Sequence, residues 1–150
     1  MTDLDQKTNI IVIDDDAGIR LTLSKILEKE GYSVTCVDEG KKALEMCEKN
    51  SFDVALIDIR LPDMDGTEVT ERIKEVSPST VKIIVTGFPS LQNAVEALDH
   101  GADGYVLKPF DARDLLRMIS ENLRKRADDS KFGETKVAGY VETRMRELER

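Results

Sequence analysis

The chain has 150 residues, is 40% hydrophobic and 35% charged, and carries a net charge of −8. That length suits one domain with a tail, and the composition is that of a globular protein. The acidity argues against direct nucleic-acid binding by the bulk of the chain, and the scarcity of aromatic residues argues against a base-stacking surface. Residues 121–150 are nearly balanced in charge, so the acidity belongs to the part before them. With no secretory h-region and no long apolar run, a cytoplasmic protein off the membrane is expected, with Cys36 and Cys47 reduced.

The first apolar run, Ile10–Ile13, reads as a buried strand and ends at Asp14-Asp15-Asp16. Ile19, Leu23, Ile26 and Leu27 then recur on one helix face, which Gly31 ends. Tyr32, Val34 and Cys36 alternate with polar residues, the pattern of a half-buried edge strand. Ala43, Leu44 and Cys47 mark a second helix ending near Asn50. Val54–Ile57 is a second buried run and ends at Asp58; a loop of turn residues, Leu61 to Gly66, follows it. Val69, Ile73 and Val76 give a third helix, stopped by Ser77-Pro78. Val81–Val85 is the fourth strand, followed by Thr86 and Gly87. Leu91, Ala94, Val95 and Leu98 give a fourth helix face ending at Gly101. The fifth strand, Asp103–Leu107, closes on Lys108-Pro109, and Ala112, Leu115, Leu116, Ile119 and Leu123 give the fifth helix.

Strict alternation of strands and helices predicts a doubly wound α/β sheet with parallel strands and helices on both faces. The edge-like second strand favours a flavodoxin-like order, 2-1-3-4-5. No G-x-G-x-x-G follows the first strand and no G-x-x-x-x-G-K-[ST] occurs, which argues against a dinucleotide enzyme and an NTPase. In open sheets of this kind ligands bind beyond the carboxyl ends of the strands. The acidic points and Lys108 therefore converge on one crevice. Two carboxylates at ~4 Å repel by about 4 kcal/mol at an effective dielectric of 20, which a divalent cation would reverse. The only histidine, His100, sits alone near a helix end, without the partners a zinc site needs.

Asp14-Asp15-Asp16, Asp58 with the following Ile-Arg-Leu-Pro-Asp-Met-Asp-Gly66, Thr86-Gly87 and Lys108-Pro109-Phe110 stand in order, each at a strand end. In this the chain resembles the receiver domain of two-component response regulators, over residues 9–124. The resemblance implies a CheY-like fold and Mg²⁺-dependent (or Mn²⁺-dependent) phosphoryl transfer from a histidine kinase or histidine phosphotransfer protein. Asp58 is then the candidate nucleophile and phosphoacceptor. Asp15 is expected to bind the metal directly, with Asp14 acting through water, Asp58 sharing the ion and the backbone carbonyl of Arg60 completing the set. Spacing alone leaves Asp15-Asp16 as an alternative pair; otherwise Asp16 is a solvated residue or helix cap. Lys108 is expected to pair with the carboxylate and then with phosphoryl oxygens, and the family implies a cis Lys108-Pro109 bond. Thr86 and Tyr105 are the implied switch pair, and Gly87 leaves room for phosphate. Arg60 and Phe88 flank the path of hydrolytic water.

A different class, a hydrolase or phosphomutase with an aspartyl-phosphate intermediate, would usually carry an acid two residues after the nucleophile and an inserted cap. Here that position is Arg60, and no insertion interrupts the alternation. A flavin carrier of this topology would need a phosphate-binding loop after the first strand, which is missing. The reading is therefore a receiver over residues 1–126 that catalyses only its own phosphorylation and dephosphorylation and drives a downstream effector or output domain. It would switch the surface of the fourth helix and fifth strand. Residues 127–133 read as a linker, and a helix is expected from Lys136 to Leu148. Its stripe Val137, Val141, Met145 and Leu148 suits a homodimer contact, or a fold-back onto the domain.

Overall fold

The computed structural model describes residues 7–87 and 90–129. Five strands form one parallel sheet: β1 (Asn9–Ile13), β2 (Ser33–Val37), β3 (Val54–Ile57), β4 (Val81–Thr86) and β5 (Gly104–Leu107). Their order is β2-β1-β3-β4-β5, the one expected. The crossovers carry α1 (Ala17–Lys29), α2 (Gly40–Lys49), α3 (Gly66–Val76) and α4 (Leu91–Asp99), and α5 covers 112–129.

The central strands are continuous apolar runs because both of their faces are covered. Ile10 and Val12 pack with Leu23 and Leu27 of α1 and Leu115 and Ile119 of α5. Ile11 and Ile13 face the other way, toward Ala43 of α2, Val69 and Ile73 of α3 and Ala97 of α4. A one-residue slip of β1 against β3, where Ile10 pairs Val54 and Ile13 pairs Ile57, would exchange these two sets.

Helix ends follow local chemistry. Asp16 caps α1 by accepting from the Ile19 amide at 3.0 Å, and Asp65 caps α3 by accepting from Thr67. Gly31 and Gly101 take φ of +98° and +102° after α1 and α4, the left-handed conformation that glycine adopts without a Cβ penalty.

Four positions sit differently from expectation. In α4 Ala97 is buried, while Val95 and Leu98 are 48% and 55% exposed. The helix turns Ala97 to the sheet, so it can approach closely, and presents Val95 and Leu98 to solvent. Val76, at the last turn of α3, is also exposed, as is Cys36 of edge strand β2, whose Sγ lies 3.1 Å from Ser24 Oγ. Helix α5 continues through 129, three residues into the stretch read as linker. Phe88 and the stripe of Val137, Val141, Met145 and Leu148 lie outside the described residues.

Candidate functional site

Asp14, Asp58 and Lys108 are each the first residue beyond a strand, held by the ladder running on past it. The Asp14 amide donates to the Val37 carbonyl at 3.2 Å, and the Asp58 amide donates to the Ile13 carbonyl at 2.9 Å. The Lys108 amide donates to the Thr86 carbonyl at 2.8 Å. The ends of β1, β3 and β5 are thereby tied in register, and their side chains share the crevice at the carboxyl edge.

Asp14 and Asp58 are buried, at 2% and 6% exposure, while Asp15 is exposed. One carboxylate oxygen from each of Asp14, Asp15 and Asp58 can be chosen so that all three lie within 4.8 Å of one another. Asp14 is heavily supported. Its Oδ1 accepts from the Asp16 amide at 2.9 Å, its Oδ2 from Lys108 Nζ at 2.7 Å, and its carbonyl from Arg20 Nη1 at 2.8 Å. Asp58 is not. Its Oδ1 is buried with no hydrogen-bond partner, and Lys108 Nζ stands 3.7 Å from its Oδ2. Burial pushes the Asp58 carboxyl up to about 6; the charges of Asp14 and Asp15 add to this, and Lys108 and the Ile59 amide oppose it. An orphaned buried oxygen beside two further carboxylates fits a hard divalent cation, which takes oxygen ligands and needs few protein groups.

The lysine is therefore shared unequally. Sequence reasoning paired Lys108 with the nucleophile candidate; here its short bond goes to Asp14, and Asp58 holds only the longer ion pair. Asp16, the alternative member of the acidic pair, is committed to capping α1. Arg60 leaves the β3 edge and pairs with Asp65 in an isolated antiparallel bridge. The Gly66 amide donates to the Ile59 carbonyl at 2.6 Å, and a Cβ on Gly66 would collide with the Asp58 carbonyl, so only glycine lets the loop close here.

Thr86 is fully buried at the end of β4, opposite Leu107 of β5 and next to Lys108. Gly87 needs no left-handed backbone, and a Cβ there would stand 3.8 Å from the Lys108 side chain, an ordinary contact. The Tyr105 ring packs against the α2/α3/α4 face, and burial pushes its phenol up, against the pull of the Ser90 backbone. The Lys108-Pro109 bond is cis, as the resemblance implies. His100, by contrast, lies outside the crevice, with Nδ1 2.9 Å from Glu71 Oε2.

Sequence reasoning missed Arg20 and Asp63. Arg20 had a weak signal, since a helix capped at Asp16 puts residue 20 over its first turn, where the Arg20 amide meets the Asp16 carbonyl. Asp63 had none, because it accepts from the amides of Gly40 and Lys41 on α2, far away in sequence.

A family model described as response regulator receiver domain matches residues 10–120. The chain is 38% identical over 136 residues to the transcriptional regulatory protein ZraR of Klebsiella oxytoca, covering 90% of this chain and 31% of that protein. It is 36% identical over 126 residues to the sensory transduction protein RegX3 of Mycolicibacterium smegmatis, covering 84% and 55%. The chain thus spans about a third to about half the length of these curated relatives. Among solved structures, a CheY-like receiver domain protein from Methanospirillum hungatei superposes with a TM-score of 0.80 at 41% identity, covering 83% of this chain and 99% of that one. The BeF3-activated DrrB receiver domain superposes at 0.74 with 31% identity, covering 79% and 99%. A hydrolase or phosphomutase is not favoured: no cap interrupts the alternation among the described residues, and the comparisons are with response regulators.

Proposed function

The chain belongs to the response regulator receiver domain family, and from that premise we propose how its own residues carry out phosphoryl transfer and signalling. Asp58 is the phosphoacceptor. One of its oxygens attacks the phosphorus of a phosphohistidine on a sensor histidine kinase or phosphotransfer protein; the P–N bond breaks and its electron pair stays on the imidazole nitrogen. The observation that carries this reading is the buried Asp58 Oδ1, which has no hydrogen-bond partner, on a carboxylate that clusters with Asp14 and Asp15.

Asp14, Asp15 and Asp58, with the Arg60 carbonyl, would hold a Mg²⁺ or Mn²⁺ ion. When bound, such an ion neutralises carboxylate and phosphoryl charge, so that one anion can approach another. Asp15, being exposed, suits direct contact; Asp14, whose oxygens already accept from Lys108 and Asp16, suits contact through water. Lys108 is anchored on Asp14 rather than on the attacking oxygen, which leaves Asp58 free to react. A new phosphoryl oxygen beside Asp58 then competes for the ammonium. Thr86, next to Lys108, donates its hydroxyl to another phosphoryl oxygen, and Tyr105 moves with it. The surface that changes is α4 and β5, where Val95, Leu98 and Leu107 are exposed apolar residues for an effector or output domain to read.

This module works in the cytoplasm without touching nucleic acid or membrane itself, and any homodimer forms through residues 136–148. No helix among the described residues is long and apolar enough to cross a membrane. Incubation with Mg²⁺ and a small acyl-phosphate donor should add one base-labile phosphoryl group per chain, read by intact mass. Chelating the metal should stop the reaction. Labelling that proceeds equally well in a chelator would overturn the mechanism. Lys108→Ala should still be labelled, but without the spectral shifts of Thr86 and Tyr105 that accompany phosphorylation of the wild type.

A further inference from the structure

The N-terminus of α2 is not capped by its own sequence. Glu39 occupies the capping position but makes no side-chain bond there. The cap comes from Asp63, 23 residues beyond Gly40: Oδ1 accepts from the Gly40 amide and Oδ2 from the Lys41 amide, both at 2.8 Å. Each oxygen takes one donor, at the end of the helix where a negative charge is favoured. Burial works to raise the Asp63 carboxyl, but the amides of Lys41, Gly40, Asp63 and Met64 together outweigh it and hold the group below its ordinary range.

The contact is also steric. A Cβ on Gly40 would stand 2.8 Å from both Met64 Sδ and Val69 Cγ2, so the backbone of α2 lies directly on this loop and on the first turn of α3. The loop in question begins with Arg60. Its base is tied by the Arg60–Asp65 bridge and the bond from Gly66 to Ile59, and its far end by Asp65 capping α3. Asp63 fastens the apex of this loop to α2 by two hydrogen bonds.

We propose that Asp63 is a positioning residue for the metal site: by clamping the loop apex to α2 it holds Arg60 in place and so sets the affinity for the divalent ion. This rests on the receiver reading and adds a residue to it. A plain helix cap would stabilise α2 and leave metal affinity untouched, and the two roles can be separated.

The experiment titrates the full chain with Mg²⁺, following amide chemical shifts, and measures amide hydrogen exchange at Gly40 and Lys41. Asp63→Ala should weaken Mg²⁺ binding roughly tenfold, the low end for a group acting through a ligand, and should speed exchange at both amides. Asp63→Asn keeps one acceptor oxygen and should fall between that variant and the wild type, so it carries the test should the alanine variant fail to fold. Lys42→Ala, which removes only the surface pair with Asp38, should leave affinity unchanged. The decisive variant combines Asp63→Ala with Glu39→Ser, which gives α2 a local cap. Recovery of slow exchange without recovery of affinity supports the clamp. Recovery of both, or unchanged affinity in Asp63→Ala, overturns it and leaves the receiver reading standing. A wild-type chain that binds no Mg²⁺ at all would overturn the metal reading, and this inference with it.

Discussion

At the amino edge of the sheet Asp53 accepts from the Asn9 amide at 2.8 Å and from Arg126 Nη2 at 3.1 Å, whereas at the carboxyl edge Asp58 has one oxygen with no hydrogen-bond partner. The contrast extends to the neighbours. Arg126 also reaches the carbonyls of Asp53 and Ser79, and the buried Lys82 donates to the Thr80 carbonyl at 2.7 Å. Asp103 accepts from the Lys82 amide at 2.8 Å with the ammonium 3.6 Å away, and the Thr80 hydroxyl donates to the Phe52 carbonyl. One edge is a closed polar network, which supports folding. The other gathers three carboxylates around one lysine that binds only one of them closely. Both edges are charged and both flank the same core, so charge alone does not mark a site. An unsatisfied buried charge does, because the protein holds it at a cost that only a ligand or a reaction removes.

The largest expected effect separates the two edges by function. Asp58→Asn should abolish phosphoryl labelling, since an amide does not attack as a carboxylate does, while Arg126→Ala should be labelled like the wild type. Stoichiometric labelling of Asp58→Asn would break the comparison.

The next effect is energetic. The Asp58 carboxyl sits at about 6 in the fold against an ordinary 3.8, so the native chain binds this proton more tightly than the unfolded one. Its contribution to stability is full below about 3.8 and is lost as pH rises through about 6. Metal-free wild type should therefore lose on the order of 2 to 3 kcal/mol relative to Asp58→Asn between pH 4 and 6.5. Urea unfolding of both chains across that range gives the difference directly. A flat difference would mean that the fold does not raise the Asp58 carboxyl.

Arg126→Ala should act in the opposite sense, destabilising the fold by about 1 to 3 kcal/mol at neutral pH because the Asp53 carboxylate and the carbonyls of Asp53 and Ser79 each lose one donor. Urea unfolding again reads it, and an unchanged midpoint would show the amino-edge network to be ornamental. The smallest effect concerns the thiols. Burial pushes Cys47 up to about 11, while Cys36 is exposed. At pH 8 a thiol reagent should modify one cysteine in the native chain and two in denaturant, with peptide mapping placing the first on Cys36.

Much of this molecule was legible from residue order. Runs such as Ile10–Ile13 and Val54–Ile57 declare buried parallel strands, since only a strand covered on both faces can be apolar without alternation. Acidic residues at their carboxyl ends mark the crevice, because a parallel sheet brings those ends together. The order 2-1-3-4-5 was favoured, though not fixed, by one polar-patterned strand at the edge. Helix faces were less legible. In α4 the expected face included Val95 and Leu98, yet these are exposed and the smaller Ala97 is buried. Periodicity records which residues share a face but not how closely that face must approach the sheet.

What only the tertiary structure decided is how charges and donors are divided among neighbours distant in sequence. That Lys108 binds Asp14 closely and Asp58 loosely, that Arg20 holds the Asp14 carbonyl, and that Asp63 caps α2 are outcomes of competition at a few ångströms. Hydrophobic burial is non-directional and leaves a period in the sequence; a hydrogen bond depends on distance and angle between segments and leaves none. The sequence by itself therefore determined the sheet and the composition of its acidic edge. The folded chain decided which of those carboxylates is left unsatisfied.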